Sequence, residues 1–132
     1  MAYQGVTLKG VIPDNDLTFI LNSEIKAEHV GLVVTQDKNA ANTVKLAGAG
    51  DPIVGVLQSY EDRTATSGIK TGAVKLVGGM ELKIASSYSS PAVGDKVIGA
   101  GEGLVTKITT GQSSDVVVWE VRSNSVIVIK NS

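Results

Sequence analysis

Residues 44–57 place the strongest constraint on how this chain folds. Residues 44–46 alternate apolar and charged side chains, which is the pattern of a strand with one buried face. Residues 48–52, Gly-Ala-Gly-Asp-Pro, form a turn signal, because glycine accepts positive φ at little cost and Asp-Pro favours a turn. Residues 53–57 are apolar apart from one glycine, which favours a strand covered on both faces. The stretch therefore predicts a central hairpin of two strands joined by a glycine turn.

Short strand-like runs separated by glycine or polar turns continue along the rest of the chain. They recur about every ten residues, a spacing typical of a sandwich or barrel. No window shows the periodicity of a long amphipathic helix. The sequence therefore predicts an all-β fold: a compact β-sandwich or small β-barrel of short antiparallel strands with glycine-rich turns. The predicted strands outside the central hairpin are residues 17–21, 30–34, 74–77, 80–84, 96–98, 104–108, 116–121 and 126–129, and the segments 74–84, 96–108 and 116–129 are each expected to form a further hairpin.

The chain has 132 residues, which suits one domain preceded by a short arm. Pro-Asp-Asn-Asp at residues 13–16 is a strong break before the first predicted strand. We therefore expect an N-terminal arm at residues 1–16 and a single β domain at residues 17–132. The arm is too apolar for a purely solvated tail, so we expect it to order on a partner; the alternative is a loose terminus. Its candidate contact residues are Val6, Leu8, Val11 and Ile12.

The last hairpin is apolar at consecutive positions in both strands, at residues 116–118 and 126–129. A sheet with one exposed face would alternate apolar and polar residues instead. Both faces are therefore expected to be covered, either by the rest of the domain or by another subunit. The candidate subunit-interface residues are Trp119, Val126, Ile127, Val128 and Ile129.

The amino-acid composition argues against several kinds of functional site. The chain has no cysteine, which excludes disulfides and thiolate chemistry within it, and its one histidine excludes a multi-histidine metal site in a single chain. The formal net charge is −1 and no basic patch stands out, so nothing supports nucleic-acid binding. No signal peptide or apolar run of membrane-spanning length is visible, so a soluble protein made in the cytoplasm is expected.

Three motifs invite a chemical interpretation, and each has a simpler structural one. The glycine-rich run at residues 99–103 is followed by strand-like sequence and not by the helix of a phosphate loop, which predicts a hairpin turn. His29 has Glu28 beside it, but it has no nucleophile, and adjacent strand residues face opposite ways. Glu61 and Asp62 lack the spaced carboxylates of a cation-binding loop. The sequence therefore predicts no catalytic, cofactor-binding or metal-binding residues, and no enzyme.

Five pieces of the chain follow one another in an order that belongs to a known family. They are Val30-Gly31-Leu32-Val33-Val34, Asn42-Thr43-Val44-Lys45-Leu46-Ala47, the turn and strand from Gly48 to Leu57, Gly72-Ala73-Val74-Lys75-Leu76, and Pro91-Ala92-Val93-Gly94-Asp95-Lys96-Val97. In this order they resemble the small head decoration, or capsid cement, proteins of tailed bacteriophages. The resemblance lies in residues 30–108, and the two ends of the chain contribute little to it.

The resemblance implies a β-rich protein without enzymatic activity or cofactor. It implies binding to the outside of the expanded phage head, where such proteins commonly sit as trimers that bridge neighbouring capsomers. The expected partners are therefore the major capsid protein and two further copies of this chain, with no nucleic acid or membrane. The expected location is the exterior of the virion capsid, after synthesis in the host cytoplasm, and the N-terminal arm becomes the candidate capsid contact.

Two other functions remain open at the level of sequence. One is a carbohydrate- or cell-surface-binding β module, such as a head fibre or lectin-like domain, which exposed aromatic side chains around one loop cluster would favour. The other is an enzyme, such as a β-rich peptidase or lyase, which the missing constellation of catalytic residues disfavours.

Overall fold

The computed structural model describes residues 16–131, so the predicted arm contacts Val6, Leu8, Val11 and Ile12 lie outside the described residues. The described residues form eleven strands and one short 3-10 helix, Ala27–His29, and contain no α-helix, which confirms the predicted all-β fold. The strands are β1 Asp16–Leu21, β2 Val33–Gln36, β3 Thr43–Leu46, β4 Gly55–Leu57, β5 Glu61–Arg63, β6 Ile69–Lys75, β7 Gly78–Lys83, β8 Val97–Gly101, β9 Leu104–Lys107, β10 Val116–Val121 and β11 Ser125–Lys130.

Five of the strands close into a small barrel. Their order is β1-β3-β2-β4-β6, and β6 returns to pair with β1 along its whole length. The β1–β3 pair is parallel, the other pairs are antiparallel, and β5 adds to β6 outside the closed ring. The barrel interior is filled by Leu21, Ile25, Val34, Val44, Leu57 and Val74.

The remaining strands form a second unit beside the barrel. Strands β10, β11 and β7 form a three-stranded antiparallel sheet, here termed the C-terminal sheet, and β8 and β9 form a hairpin. Single bridges at Ile84–Val105 and Lys96–Val117 join the hairpin to this sheet. The predicted hairpins over 96–108 and 116–129 are therefore confirmed.

A second hydrophobic core joins the two units. It contains Val33, Ala47, Ile53 and Val56 from the barrel side, and Met80, Leu82, Tyr88, Val97, Val105, Val116, Val118, Val126 and Val128 from the other. Strands β2 and β4 serve both cores, because successive side chains of a strand point to opposite faces. Val33 and Val56 enter the second core, whereas Val34 and Leu57 enter the barrel. The expected burial of residues 53–57 on both faces is confirmed for Val56 and Leu57, and its cause is this shared wall.

The predicted central hairpin is wrong, because β3 and β4 do not pair with each other. Strand β2 lies between them and pairs with both. The glycine turn between them is bound to β8 instead: the N–H of Gly50 donates to the carbonyl of Gly99, and the N–H of Gly99 donates to the carbonyl of Asp51, both at 2.9 Å. The turn signal was correct, but the turn spans the width of β2 and closes over the second core.

The predicted hairpin at residues 74–84 is also wrong. Strand β6 belongs to the barrel, whereas β7 pairs with β11 in the C-terminal sheet. Gly78 has a φ of +100°, a backbone conformation that glycine adopts readily, and it lies where the chain passes from one sheet to the other. The glycine pair therefore marks a change of sheet and not a tight turn.

Candidate interaction surface

The five predicted interface residues divide between the core and the outside of the C-terminal sheet. Val126 and Val128 are fully buried in the second core of this chain. Ile127 and Ile129 are half-buried on the opposite, outer face of the sheet, and Trp119 is 62% exposed. Three of the five side chains therefore reach the outer surface, and their role in a subunit interface stays a prediction.

Trp119 lies at an irregularity in the β10–β11 ladder. Val118 pairs with Val128 and Glu120 pairs with Ile127, so that Trp119 is the extra residue of a β-bulge. A bulge leaves one residue without a partner on the neighbouring strand and changes the direction of its side chain. Trp119 follows buried Val118 and so faces outward by ordinary alternation, and the bulge places Glu120 on the same outer face, opposite Ile127.

A second exposed side chain lies next to the bulge. The N–H of Gly94 donates to the carbonyl of Val118, and the N–H of Val118 donates to the carbonyl of Asp95, both at 2.8 Å. These bonds and the Lys96–Val117 bridge hold residues 94–96 along β10, and Val93 directly precedes them. Val93 is 66% exposed, whereas Val121 pairs with core residue Val126 and is only partly exposed at the end of the strand. We term Val93 and Trp119 the Trp119 edge.

A buried polar cluster fixes the loop that presents Val93. The Asp95 carboxylate accepts hydrogen bonds from the Tyr88 hydroxyl at 2.7 Å and from the N–H of Ala92 at 3.0 Å, and its other oxygen lies 3.6 Å from the Lys107 ammonium. The bond from Tyr88 is the main reason that the pKa of Asp95 is lowered. Burial, together with Asp95, raises the pKa of Tyr88. With a neutral phenol on a charged carboxylate, the cluster acts as a structural clasp.

Sequence reasoning missed both the clasp and Val93. Tyr88 lies in the serine-rich stretch 86–90, yet it is buried in the second core. The available signal was an aromatic residue set among serines and followed by Val-Gly-Asp, a turn whose aspartate needs a donor.

Ion pairs line the outer face of the sheet near the β10–β11 turn. In the strand register Ile127 lies between Glu120 and Glu81. The Arg122 guanidinium contacts both carboxylates, with Nε 3.0 Å from Glu120 Oε2 and Nη1 3.8 Å from Glu81 Oε1. The pKa of Arg122 is raised, mainly by the hydrogen bond and the negative charge of Glu120 and further by the negative charge of Glu81. Ser125 also donates its hydroxyl proton to Glu81, so the outer face is charged at this end.

The other end of this face is apolar. Val117 pairs with Ile129, which in turn pairs with Gly79 on β7. Val117 and Ile129 are both half-buried. The outer face of the C-terminal sheet is therefore apolar away from the turn and bounded by charge near it.

A cleft of about 790 Å³ runs beside strand β7. Its walls are β7, the β10–β11 turn, and the barrel around the end of β4. Its lining includes Gly79, Glu81 and Lys83 on one side and Gly31, Val56 and Gln58 on the other. We term it the β7 cleft.

The motifs that invited a chemical interpretation have local structural roles. The run at residues 99–103 forms the end of β8 and the turn into β9. His29 Nδ1 accepts the N–H of Lys26 at 2.9 Å at the 3-10 helix. Glu61 pairs with Arg63 at 2.9 Å, and the hydroxyl and N–H of Thr64 lower the pKa of Asp62.

Within residues 16–131 no three histidine, cysteine, aspartate or glutamate side chains are grouped so that they could hold a metal ion. No helix in that same range is both long enough and apolar enough to cross a membrane.

Comparison with known proteins gives a likeness of fold. No family model matches the sequence, and no curated protein sequence matches it significantly. Among solved structures, the chain is similar to one from "The capsid of Myoviridae Phage XM1", with a TM-score of 0.58 and 18% sequence identity. The match covers 92% of this chain and 85% of the other. At this identity the likeness establishes a shared β fold over nearly the whole length of both chains.

Proposed function

We propose that this protein is a structural component of a tailed-bacteriophage head, a decoration or cement protein that binds the exterior of the mature shell. The observation that supports this best is the likeness of its fold, along almost the entire chain, to a chain from a phage capsid. The order of sequence pieces that resembles the decoration family supports the same proposal independently of that comparison. We further propose that the protein is not an enzyme.

The described surface suits such a role. Trp119 and Val93 are the most exposed of the large apolar side chains in the part of the chain described. Tryptophan is enriched among the residues that dominate protein interfaces, because it buries a large rigid surface at low entropic cost. The Asp95 clasp and the β10 bulge hold the Trp119 edge in place before any partner arrives, which lowers the cost of binding. We therefore assign the Trp119 edge to contact with the shell.

The proposed mechanism is stabilisation by linkage. A protein that binds only the expanded shell lowers the free energy of that state by mass action, and many copies multiply a modest energy per site. In this proposal the partner is the major capsid protein, the copies are homotrimers that bridge capsomers, and the location is the virion exterior. Ile127 and Ile129 on the outer face are the candidates for contact between copies, and the arm at residues 1–16 provides a further capsid contact.

A sedimentation experiment tests the proposal. Purified protein is mixed with bare mature heads at micromolar concentration, and we expect it to co-sediment without added metal, nucleotide or reductant. Trp119→Ala is expected to weaken binding at least tenfold, since an interface tryptophan is worth about 2 kcal/mol or more. Ile69→Ala, which alters an exposed apolar residue on the barrel, is the matched control and should bind normally. Folded protein that stays in the supernatant would contradict the proposal.

The exposure of Trp119 also favours a second candidate, a carbohydrate- or cell-surface-binding module. Sugar sites usually combine several aromatic faces, and Tyr88 is buried while Tyr60 packs against the barrel interior. A glycan array separates the two proposals: binding that Trp119→Ala abolishes would favour the carbohydrate module.

A further inference from the structure

Lys130 is a buried lysine without a partner in the described part of the chain. It ends strand β11, it is 8% exposed, and it faces the same way as Val126 and Val128, which fill the second core. Within residues 16–131 no carboxylate forms an ion pair with its ammonium group, and no oxygen accepts a hydrogen bond from it. Lysine is almost never buried to this extent unless it is paired, so its position calls for an acidic partner.

Lys75 approaches the same place from the barrel. In the β4–β6 ladder it lies opposite Val56, whose side chain enters the second core, so Lys75 also points out of the barrel toward the second unit. A Cβ atom at Gly78 would lie 3.7 Å from Lys75 Cε. Gly78 lies directly opposite Lys130 in the β7–β11 ladder, and Cβ positions that face each other in this way are about 5 Å apart. Both lysine side chains therefore reach the point where the chain passes from the barrel to the C-terminal sheet, and we term them the lysine pair.

The acidic residues that lie nearest in the strand register leave the lysine pair uncompensated. Asp16 lies opposite Lys75 in the β1–β6 ladder, and Asp115 directly precedes Val116, which lies opposite Lys130. Both carboxylates are exposed, and neither forms an ion pair within the part of the chain that the structure describes. Two positive charges therefore meet at the seam between the two units with no negative charge bound to them.

We propose that the lysine pair is a binding site for a carboxylate on an acidic segment of a protein partner. A carboxylate has two oxygens, and each accepts a hydrogen bond from one ammonium group. Apart from its own chain neighbours, a Cβ atom at Gly78 would meet only Lys75 Cε within 4 Å, so glycine leaves room between the two lysine side chains. The inference goes beyond the proposed function, because the site requires no capsid and includes neither the Trp119 edge nor the outer face of the sheet.

The surroundings of the pair favour a carboxylate over a phosphate. A nucleic acid is held by many phosphate contacts along a basic surface, whereas this chain has a net charge of −1. Single phosphate groups are usually held by an arginine fork, and the two arginines of the chain, Arg63 and Arg122, are both bound to glutamates elsewhere. The buried stem of Lys130 offers apolar contact to the side chain that carries the carboxylate, as a protein segment would provide.

Fluorescence anisotropy with a fluorescein-labelled oligoglutamate peptide tests the proposal in solution, without capsids. We expect saturable binding at low ionic strength that added salt weakens. Lys130→Met keeps the aliphatic stem and removes the charge, and Lys75→Gln removes the other charge; each is expected to weaken binding about tenfold, since hydrogen bonds between charged groups are the strong ones. The matched control is Lys38→Gln, which changes the net charge equally at an exposed lysine of the β2–β3 turn and should bind as the native protein does.

The melting temperature of Lys130→Met gives a second readout that needs no ligand. Replacing an unpaired charge by an apolar group of similar length removes a desolvation cost, so the melting temperature should be unchanged or raised. A lowered melting temperature would mean that the ammonium group already has a partner within the chain, and it would overturn the proposal. Folded protein that does not bind the peptide, or that binds it equally well in both lysine variants, would also overturn it. Tighter binding of inorganic phosphate or of a single-stranded oligonucleotide would replace the carboxylate by a phosphate and refute the acidic segment. Failure of capsid binding alone leaves both readouts unaffected.

Discussion

Glycine at position 99 is required by the backbone that surrounds it. A Cβ atom there would lie 2.5 Å from the carbonyl oxygen of Gly48 and 2.9 Å from that of Asp51. Both neighbours are backbone atoms of the turn that closes over the second core, so they cannot move aside as a flexible side chain would. The same residue donates its N–H to Asp51, and the close approach is thus part of the hydrogen-bonded turn.

We therefore expect Gly99→Ala to lower the free energy of unfolding by about 1–3 kcal/mol, the usual cost of overpacking. Urea denaturation followed by tryptophan fluorescence or circular dichroism measures it. Gly111→Ala is the control. A Cβ atom at residue 111 would meet no atom within 4 Å, but the residue has a φ of +90°, so this variant measures the cost of backbone strain without a steric clash. Equal stability of Gly99→Ala and the native protein would mean that the turn moves freely away from β8.

The Asp95 clasp makes a prediction about pH at the same scale. Because the pKa of Asp95 is lower in the folded state, its contribution to stability is complete above the ordinary aspartate pKa. That contribution is lost as pH falls through the lower folded value, below about pH 4. Tyr88→Phe removes the main cause of the lowered pKa and is expected to cost about 1.5–3 kcal/mol at neutral pH.

Urea unfolding of both proteins at neutral pH and at acidic pH provides the check. The difference between native protein and Tyr88→Phe should shrink as the carboxylate is protonated. A difference that stays constant with pH would assign the loss to packing around Tyr88 and not to the charged hydrogen bond.

At the scale of elements, the two faces of the C-terminal sheet are expected to have different roles: the inner face stabilises the fold, and the outer face contacts another copy. Val128 faces the second core, whereas Ile129 faces outward. Val128→Asp is expected to destabilise the fold by several kcal/mol, since it buries an unpaired charge. Ile129→Asp should leave the monomer close to native stability and weaken association between copies.

Thermal melting and sedimentation, measured on both variants, provide the comparison. A large loss of monomer stability in Ile129→Asp would show that its half-buried side chain is part of the fold. Unchanged stability together with unchanged association would remove the outer face from the subunit interface.

The sequence predicts where strands lie much better than which strands pair. Alternation at residues 80–84 and continuous apolarity at 53–57 depend on local burial, so both segments appear in the structure near their expected positions. Pairing depends on segments far apart in the chain. Strand β2 lies between β3 and β4, and β7, which was expected to pair with β6, pairs with β11 instead. A turn signal such as Gly-Ala-Gly-Asp-Pro reports that the chain bends but not how wide the bend is.

The candidate surface was predictable in part for a similar reason. Trp119 stands out by its type and faces outward by alternation with buried Val118, but the bulge that leaves it without a partner depends on the ladder with β11. Val93 has no local signal beyond the turn that follows it, and the hydrogen bonds of Gly94 and Asp95 to Val118 hold that turn against β10. The division of the residues at 126–129 between core and surface is the ordinary alternation of a strand, hidden in sequence because both faces are apolar.

At the scale of the whole molecule, the barrel and the second unit share one wall, formed by β2 and β4. Val33 and Val34, adjacent in sequence, fill different cores, so neither unit has a complete interior without the other. We therefore expect residues 16–131 to unfold as a single cooperative unit. The strand β1 closes the barrel, which makes the boundary just before Asp16 the natural place to cut the chain.

The arm is tested at that boundary. Deleting residues 2–13 removes no described strand, so the melting temperature of the β domain should remain close to the native value. The same deletion should weaken capsid binding, because Val6, Leu8, Val11 and Ile12 are proposed to gain order and apolar contact on a partner. Ordering a loose segment offsets part of the contact energy, and the net loss is therefore expected to be only a few kcal/mol. Thermal melting and co-sedimentation with mature heads, run on one preparation, measure both effects.

The control variant carries Gln4→Asn and Thr7→Ser. It keeps the length and the apolar residues of the arm and should bind normally. Unchanged binding of the truncated protein would make the arm a passive terminus, whereas loss of the folded domain would make it a core strand. Either result would contradict the role of the arm and leave the proposed decoration function to be judged by the Trp119 edge.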